Sequence, residues 1–198
     1  MKKPITENLI ILASASPYRR KLLERLHVPF TCHSPNIDET PMRGESPPKL
    51  VIRLARDKAQ ATARLYPDAI VIGSDQVAVL GKIILNKPGG HELARAQLLQ
   101  LSGKTVWFHT GLCVLNSTTG SVQADVIRFK VNFRKLDVAE IERYLVAEQP
   151  YDCAGSFKSE ALGITLLKNM QGDDPTALIG LPLIRLCEML RSEGLELP

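Results

Sequence analysis

The apolar run Leu9–Leu12 is followed closely by Ser16-Pro17, and this junction constrains the fold more than any other feature of the chain. A short apolar run of this kind reads as a buried strand. Serine is a preferred helix N-cap, and proline suits the first turn because the amide it lacks would have no intrahelical partner there. A helix carrying Leu22, Leu23 and Leu26 is therefore expected to begin at Ser16, which makes residues 13–20 a strand-to-helix junction.

Strand and helix signals continue along the chain. Ser46 is placed to cap a helix over residues 47–65, followed by a strand at 69–73. Residues 77–80 and Ile83–Leu85 around Gly81-Lys82 read as a hairpin. Residues 91–101 read as a helix stopped by Gly103. Residues 105–115 and Val122–Phe133 read as long β runs separated by the turn-forming stretch 116–120. A further helix starts near Leu136, where Asp137 and Glu140 resemble a capping box. Residues 151–163 are turn-rich, and a last helix is expected near 183–191. Hairpins interrupt the alternation, so the expected class is α/β with a mixed sheet flanked by helices, its strand order left open.

There is no internal repeat and nothing that reads as a linker; the longest turn-rich stretch is 34–48. With 198 residues and 44% apolar content, a single domain spanning 1–198 is expected to bury its own core. The four cysteines, Cys32, Cys113, Cys153 and Cys187, form no CxxC pair and are expected to be buried free thiols in a reducing compartment. Lys2 and Lys3 precede an apolar run too short for a secretory signal, and no stretch approaches the length of a membrane span, so a cytoplasmic protein with no membrane contact is expected.

Residues 1–60 hold 11 Lys/Arg against 6 Asp/Glu, and the remainder holds 14 against 15, so the positive excess sits in the first third. Without a basic tail or basic residues interleaved with aromatics, this excess suits a small phosphorylated ligand at least as well as nucleic acid, and equally a solvated basic face. No nucleic-acid partner is expected.

Some residues do not fit a core. On a helical wheel Leu50, Val51, Leu54, Ala55 and Ala61 share one face, with Lys49, Arg53, Arg56, Asp57 and Gln60 opposite. Lys58 falls within the apolar face. It reads either as a lysine snorkelling past the core edge or as a cation aimed at a phosphate pocket. Gly73-Ser74-Asp75 follows the apolar stretch 69–72, which puts Asp75 at the carboxyl end of a strand, where ligands bind in α/β sheets; a plain turn is the alternative. Asp38-Glu39 in the turn-rich stretch offers hard oxygen ligands from a second loop, of the type a phosphate-bound magnesium needs. At the first junction Ser14, Ser16 and Arg19-Arg20 offer hydroxyls, helix amides and guanidiniums to an anion, or simply a cap with two surface arginines. Gly103-Lys104-Thr105 imitates a P-loop ending but lacks its upstream glycine and leads from helix to strand.

Taken together, Ser14-Ala15-Ser16-Pro17-Tyr18-Arg19-Arg20, Asp38-Glu39-Thr40, Lys58, Gly73-Ser74-Asp75-Gln76-Val77, Lys87-Pro88 and Ser156-Phe157-Lys158-Ser159-Glu160 resemble the Maf family of nucleotide pyrophosphatases over nearly the whole chain. The resemblance implies an elongated, two-lobed Maf/ITPase-like fold with a central cleft, usually dimeric. It implies hydrolysis of nucleoside triphosphates to monophosphate and pyrophosphate with a divalent cation, magnesium, manganese or cobalt. By the same resemblance Asp75 is the catalytic base, Ser14, Arg19, Lys58 and Lys87 hold the substrate, and Glu39 with Asp75 holds the metal.

Tyr18, Gln76 and Glu160 match positions that divide the family, and the combination resembles the branch acting on 7-methyl-GTP rather than dTTP or UTP. N7-methylation makes guanine cationic, which an aromatic face and a carboxylate favour. The chain departs from the branch's usual tryptophan at Tyr18 and from glycine at Asn86 and Ala161. The rival expectations are a dTTP/UTP pyrophosphatase and an interaction protein acting on septum formation, the role from which the family took its name.

Overall fold

The computed structural model describes residues 9–198; Lys2 and Lys3, weighed above, lie outside the described residues. Strand β1 (Leu9–Leu12) runs into helix α1 (Pro17–Glu24), and the extended N-cap Ser16 accepts the Arg19 amide at 3.3 Å. Leu26, expected on this helix, lies just beyond it and packs half-buried on the same core.

The remaining strands and α-helices are β2 (Thr31–Cys32), α2 (Pro47–Ala63), β3 (Ala69–Leu80), β4 (Ile83–Leu85), α3 (His91–Leu101), β5 (Thr105–Asn116), β6 (Val122–Phe133), α4 (Val138–Glu148), β7 (Leu167–Gln171), α5 (Pro175–Ile179) and α6 (Leu183–Ser192). They form a mixed seven-stranded sheet in the order β2-β1-β3-β5-β6-β7, with β4 paired to β3 off that path. β1 runs parallel to both β2 and β3, and the pairs β3–β4, β3–β5, β5–β6 and β6–β7 are antiparallel. The expected α/β class with a mixed, helix-flanked sheet is what the chain forms.

Strand β3 differs from its expected form. It does not end before Asp75 but continues through Gly73-Ser74-Asp75, because β5 pairs with it throughout: Gly73 with Cys113, Ser74 with Leu112 and Asp75 with Gly111. On its other edge β3 pairs with β1 as far as Ile72 and with β4 from Ala78. Residues 73–77 therefore face a gap between β1 and β4. Asp75 lies beyond the carboxyl end of β1 rather than of its own strand.

Helix α2 lies on the sheet at this point. A Cβ on Gly73 would come 2.1 Å from the Ala55 carbonyl, and one on Gly111 would come 2.1 Å from the Val51 carbonyl, so only glycine admits the helix so close. Its buried face comprises Leu50, Val51, Leu54, Ala55, Lys58, Ala59 and Thr62. Ala61, expected on that face, is half-buried, since Ala59, one turn beyond Ala55, continues the stripe. Ser46 occupies the N-cap but makes no side-chain cap bond, and Pro48 removes one of the two amides, N2 and N3, that a capping side chain accepts from.

Apolar side chains alternate across the sheet. Ile10, Leu12, Ile70 and Ile72 face the core shared with α1 and α6, while Ile11, Ala13, Val71 and Cys113 face α2. A further core gathers Leu98, Phe108, Phe129, Val131, Leu145 and Phe157 between the far part of the sheet, α3 and α4. Each such Leu, Ile, Val or Phe contributes about 1.5–3 kcal/mol on burial. The α4 capping box is present in both directions between Asp137 and Glu140. Strands β2 and β7 and helix α5 were not anticipated: β2 is two exposed residues, β7 has no alternation, and α5 spans five residues. All four cysteines are free, but only Cys113 is buried, and Cys32 is exposed, contrary to expectation. Among the described residues no helix is long and apolar enough to cross a membrane.

Candidate active site

A cleft of about 740 Å³ opens at the gap in β3's edge. Ser14, Tyr18, Arg19, Glu39, Lys58, Asp75, Gln76, Lys87 and Glu160 all line it. They come from the β1–α1 junction, the 34–48 stretch, α2, β3, the loop after β4 and the segment before β7, so the tertiary fold brings together what the sequence keeps far apart.

The centre of the cleft is ionic. Lys58 Nζ lies 2.7 Å from Asp75 Oδ1 and 2.7 Å from Glu39 Oε1. Lys58 and Asp75 are only 7% and 8% exposed, whereas the Glu39 side chain is 58% exposed. Lys58 therefore does not snorkel out of the core: its ammonium turns into the cleft and holds two carboxylates at one point. The Cβ direction alternates along β3, so Asp75 and Gly73 face α2 while Ser74 and Gln76 face the opposite side.

Arg19 stands beside this group. Its Nε donates to the Gly180 carbonyl at 2.9 Å and its NH1 to Ser14 Oγ at 3.3 Å. Ser14 Oγ also accepts the Ser16 amide at 3.1 Å. Burial lowers the guanidinium's pKa, and the charges of Asp75 and Glu39 oppose that shift. Ser74 Oγ donates to the same Gly180 carbonyl at 2.9 Å, so the arginine is tied to β3 through a shared acceptor.

At another wall of the cleft the Tyr18 hydroxyl donates to the Asp152 carboxylate at 3.1 Å. Burial, then the neighbouring Cys153 and Asp152, raise the phenol's pKa, so it stays protonated and donating. Burial pushes the Cys153 thiol up to about 12, which keeps it protonated too. Gln76 Nε2 donates to the Ala177 carbonyl at 2.7 Å and to Thr110 Oγ1 at 3.0 Å, leaving Oε1 as the amide's other polar atom. Lys87 and Glu160 are exposed on the rim. Lys158 pairs with Glu148, its ammonium 3.4 Å from that carboxylate.

Two sequence expectations need correction, and one residue was not foreseen. Arg20 does not line the cleft; it pairs on the surface with Glu24 at 3.1 Å, because it lies on the outer side of α1. Asp38 does not join Glu39 there, since successive residues of the extended loop point opposite ways and the Asp38 carboxylate accepts the Thr40 amide at 2.9 Å. Asp152 was missed; its only sequence signal is an acidic residue in the turn-rich stretch leading to Ser156.

The arrangement suits proton abstraction next to a bound anion. Asp75, on a rigid strand, offers an acceptor, while Lys58 and Arg19 offer cations in a recess where their attraction is weakly screened. Glu39 and Asp75 supply two hard carboxylates that meet at one cation, the protein share suited to a magnesium-type ion that keeps its other positions for water and phosphate oxygens. Among the described residues no group of three or more His, Cys, Asp or Glu side chains gathers into a metal site.

A family model described as Maf-like protein matches residues 9–193. A 7-methyl-GTP pyrophosphatase of Pseudomonas fluorescens is 59% identical over 189 residues, covering 96% of this chain and 98% of that protein. Proteins of the same name from Methylobacillus flagellatus and Nitrosococcus oceani are 54% and 55% identical, covering 94% and 93% of this chain and 97% and 93% of their own lengths.

Proposed function

The chain belongs to the Maf-like protein family, and from that membership we propose that it is a pyrophosphatase that hydrolyses 7-methyl-GTP to 7-methyl-GMP and pyrophosphate, removing a modified nucleotide. The observation that carries the reading is the convergence of Asp75, Lys58 and Glu39 in a cleft that also holds Arg19, Tyr18 and Glu160.

In the proposed reaction Asp75 accepts a proton from a water that attacks the α-phosphorus in line with the departing pyrophosphate. Its place in a paired strand keeps the carboxylate from following the substrate as charge moves. Lys58 and Arg19 bind phosphate oxygens, and Lys87 on the rim holds the outer phosphates that leave. Ser14 accepts a hydrogen bond from the Arg19 guanidinium and so helps to orient it.

At the centre of the cleft the carboxylates of Glu39 and Asp75 balance the cations of Lys58 and Arg19, so these four groups offer no net charge to offset a triphosphate. Glu39 and Asp75 would hold a divalent cation, magnesium, manganese or cobalt, which when bound supplies positive charge to the phosphate oxygens. Tyr18 offers an aromatic face, and Asp152 and Glu160 offer negative charge, which together favour the cationic methylated base over neutral bases. A homodimeric enzyme belongs to the same proposal and rests on the family resemblance, and a cytoplasmic location rests on the short apolar run at the start of the sequence and the want of a stretch long enough to span a membrane.

The test is pyrophosphate release from 7-methyl-GTP, GTP, dTTP and UTP, with and without magnesium, by the wild type and by Asp75→Asn. Metal-dependent turnover highest on 7-methyl-GTP is expected, with a loss on the order of 100-fold or more in the variant. Preference for dTTP or UTP would overturn the base pocket, and an active Asp75→Asn would overturn the role of Asp75.

A further inference from the structure

The loop that carries Glu39 has almost nothing apolar to hold it. Residues 38–44 are all exposed, with cleft on one side and a second cavity of about 540 Å³ on the other. Glu39 lines the first, Asp38, Thr40 and Met42 line the second, and Pro41 lines both. A strip of chain with space on both faces keeps its shape only through polar ties.

Those ties converge on two side chains. Arg53 Nε donates to Glu45 Oε1 at 2.7 Å and its NH2 to Glu45 Oε2 at 2.8 Å, a bidentate pair. The same NH2 donates to the Thr40 carbonyl at 3.1 Å, and Glu45 Oε2 accepts the Met42 amide at 3.0 Å. The two side chains are 19% and 8% exposed, unlike the loop they hold. Asp57, one turn along α2, adds a longer contact to Arg53 at 3.4 Å.

Arg53 and Lys58 belong to the same helix. One grips the Thr40 carbonyl and the other the Glu39 carboxylate, so neighbouring loop residues are both referenced to α2, which is itself seated on the sheet at Gly73 and Gly111. We propose that Glu45 and Arg53 are positioning residues of the site: their pair fixes the 38–45 loop to α2 so that Glu39 meets Lys58 and Asp75. The catalytic half of this inference rests on the pyrophosphatase reading; the structural half does not.

The experiment compares the wild type, Glu45→Gln, Glu39→Gln and the double variant by pyrophosphate release from 7-methyl-GTP across a magnesium titration, with amide hydrogen exchange at Thr40 and Met42. Glu45→Gln is expected to lower kcat, or raise the magnesium needed for half-maximal rate, on the order of tenfold while KM for nucleotide stays within about twofold. In the Glu39→Gln background the same change is expected to add nothing, because the loop then has no carboxylate to place. Wild-type kcat and magnesium dependence in Glu45→Gln, or an effect that multiplies fully onto that of Glu39→Gln, would overturn the proposal. If the wild type turns over no nucleotide, the functional reading fails by itself. Exchange then decides the structural half: faster exchange at Thr40 and Met42 in Glu45→Gln supports it, and unchanged protection sinks it.

Discussion

Lys58 Nζ stands 2.7 Å from Asp75 Oδ1 in a contact that is buried on both sides, joining the middle of α2 to the middle of β3. A buried ion pair is costly to break from one side, because the partner left behind keeps its charge without water or counterion. The pair therefore serves the fold as well as the cleft, and this gives a first expectation.

Lys58→Met is expected to destabilise the protein by about 3 kcal/mol, since it leaves the Asp75 carboxylate unpaired. Adding Asp75→Asn to it should recover most of that loss. Urea unfolding of the two single variants and the double variant measures the coupling; losses that simply add would show that the two groups do not depend on each other.

Gly111→Ala tests how closely α2 must sit. The new Cβ would meet the Val51 carbonyl oxygen at 2.1 Å and its carbon at 2.5 Å, both backbone atoms that cannot rotate away. A loss of about 1–3 kcal/mol is expected as the helix lifts, together with reduced turnover because Lys58 lifts with it. Thermal melts and pyrophosphate release read the two effects; full stability and full activity would contradict the seating of the helix.

Acid stability should depend on Glu45. The Arg53 guanidinium, helped by the Met42 amide, holds this carboxyl at about 2 against its ordinary 4.5. A lowered folded value stabilises the native state above the ordinary value, and that contribution is lost as pH falls from 4.5 towards about 2. Glu45→Gln is accordingly expected to be less stable than wild type near neutrality and to converge with it as pH falls through that window. Denaturation midpoints across the range check this, and a difference constant down to the lowest pH would contradict it.

Much of this chain is legible without coordinates because the relevant physics is local. Ser16-Pro17 starts α1, Asp137 and Glu140 box the start of α4, and Gly81-Lys82 turns β3 into β4. Each depends on residues a few positions apart, and so does the lysine out of place on the apolar face of α2. The family resemblance, carried by short motifs, named the residues that line the cleft.

What only the tertiary structure decided are the long-range pairings. Pairing with β5 carries β3 through Asp75, where the local Gly-Ser-Asp signal reads as a turn, because ladder hydrogen bonds to a distant strand outweigh turn preference. Whether Lys58 points outward or inward depended on Gly73 and Gly111 bringing α2 onto the sheet. Asp152 meets Tyr18, and Arg53 grips the Glu39 loop, by contacts that no periodicity encodes. The sequence by itself determined where elements begin and which side chains are out of place in a core; the packing of helix on sheet determined which of those side chains meet, because an ion pair's energy depends on distance and burial in space and not on separation along the chain.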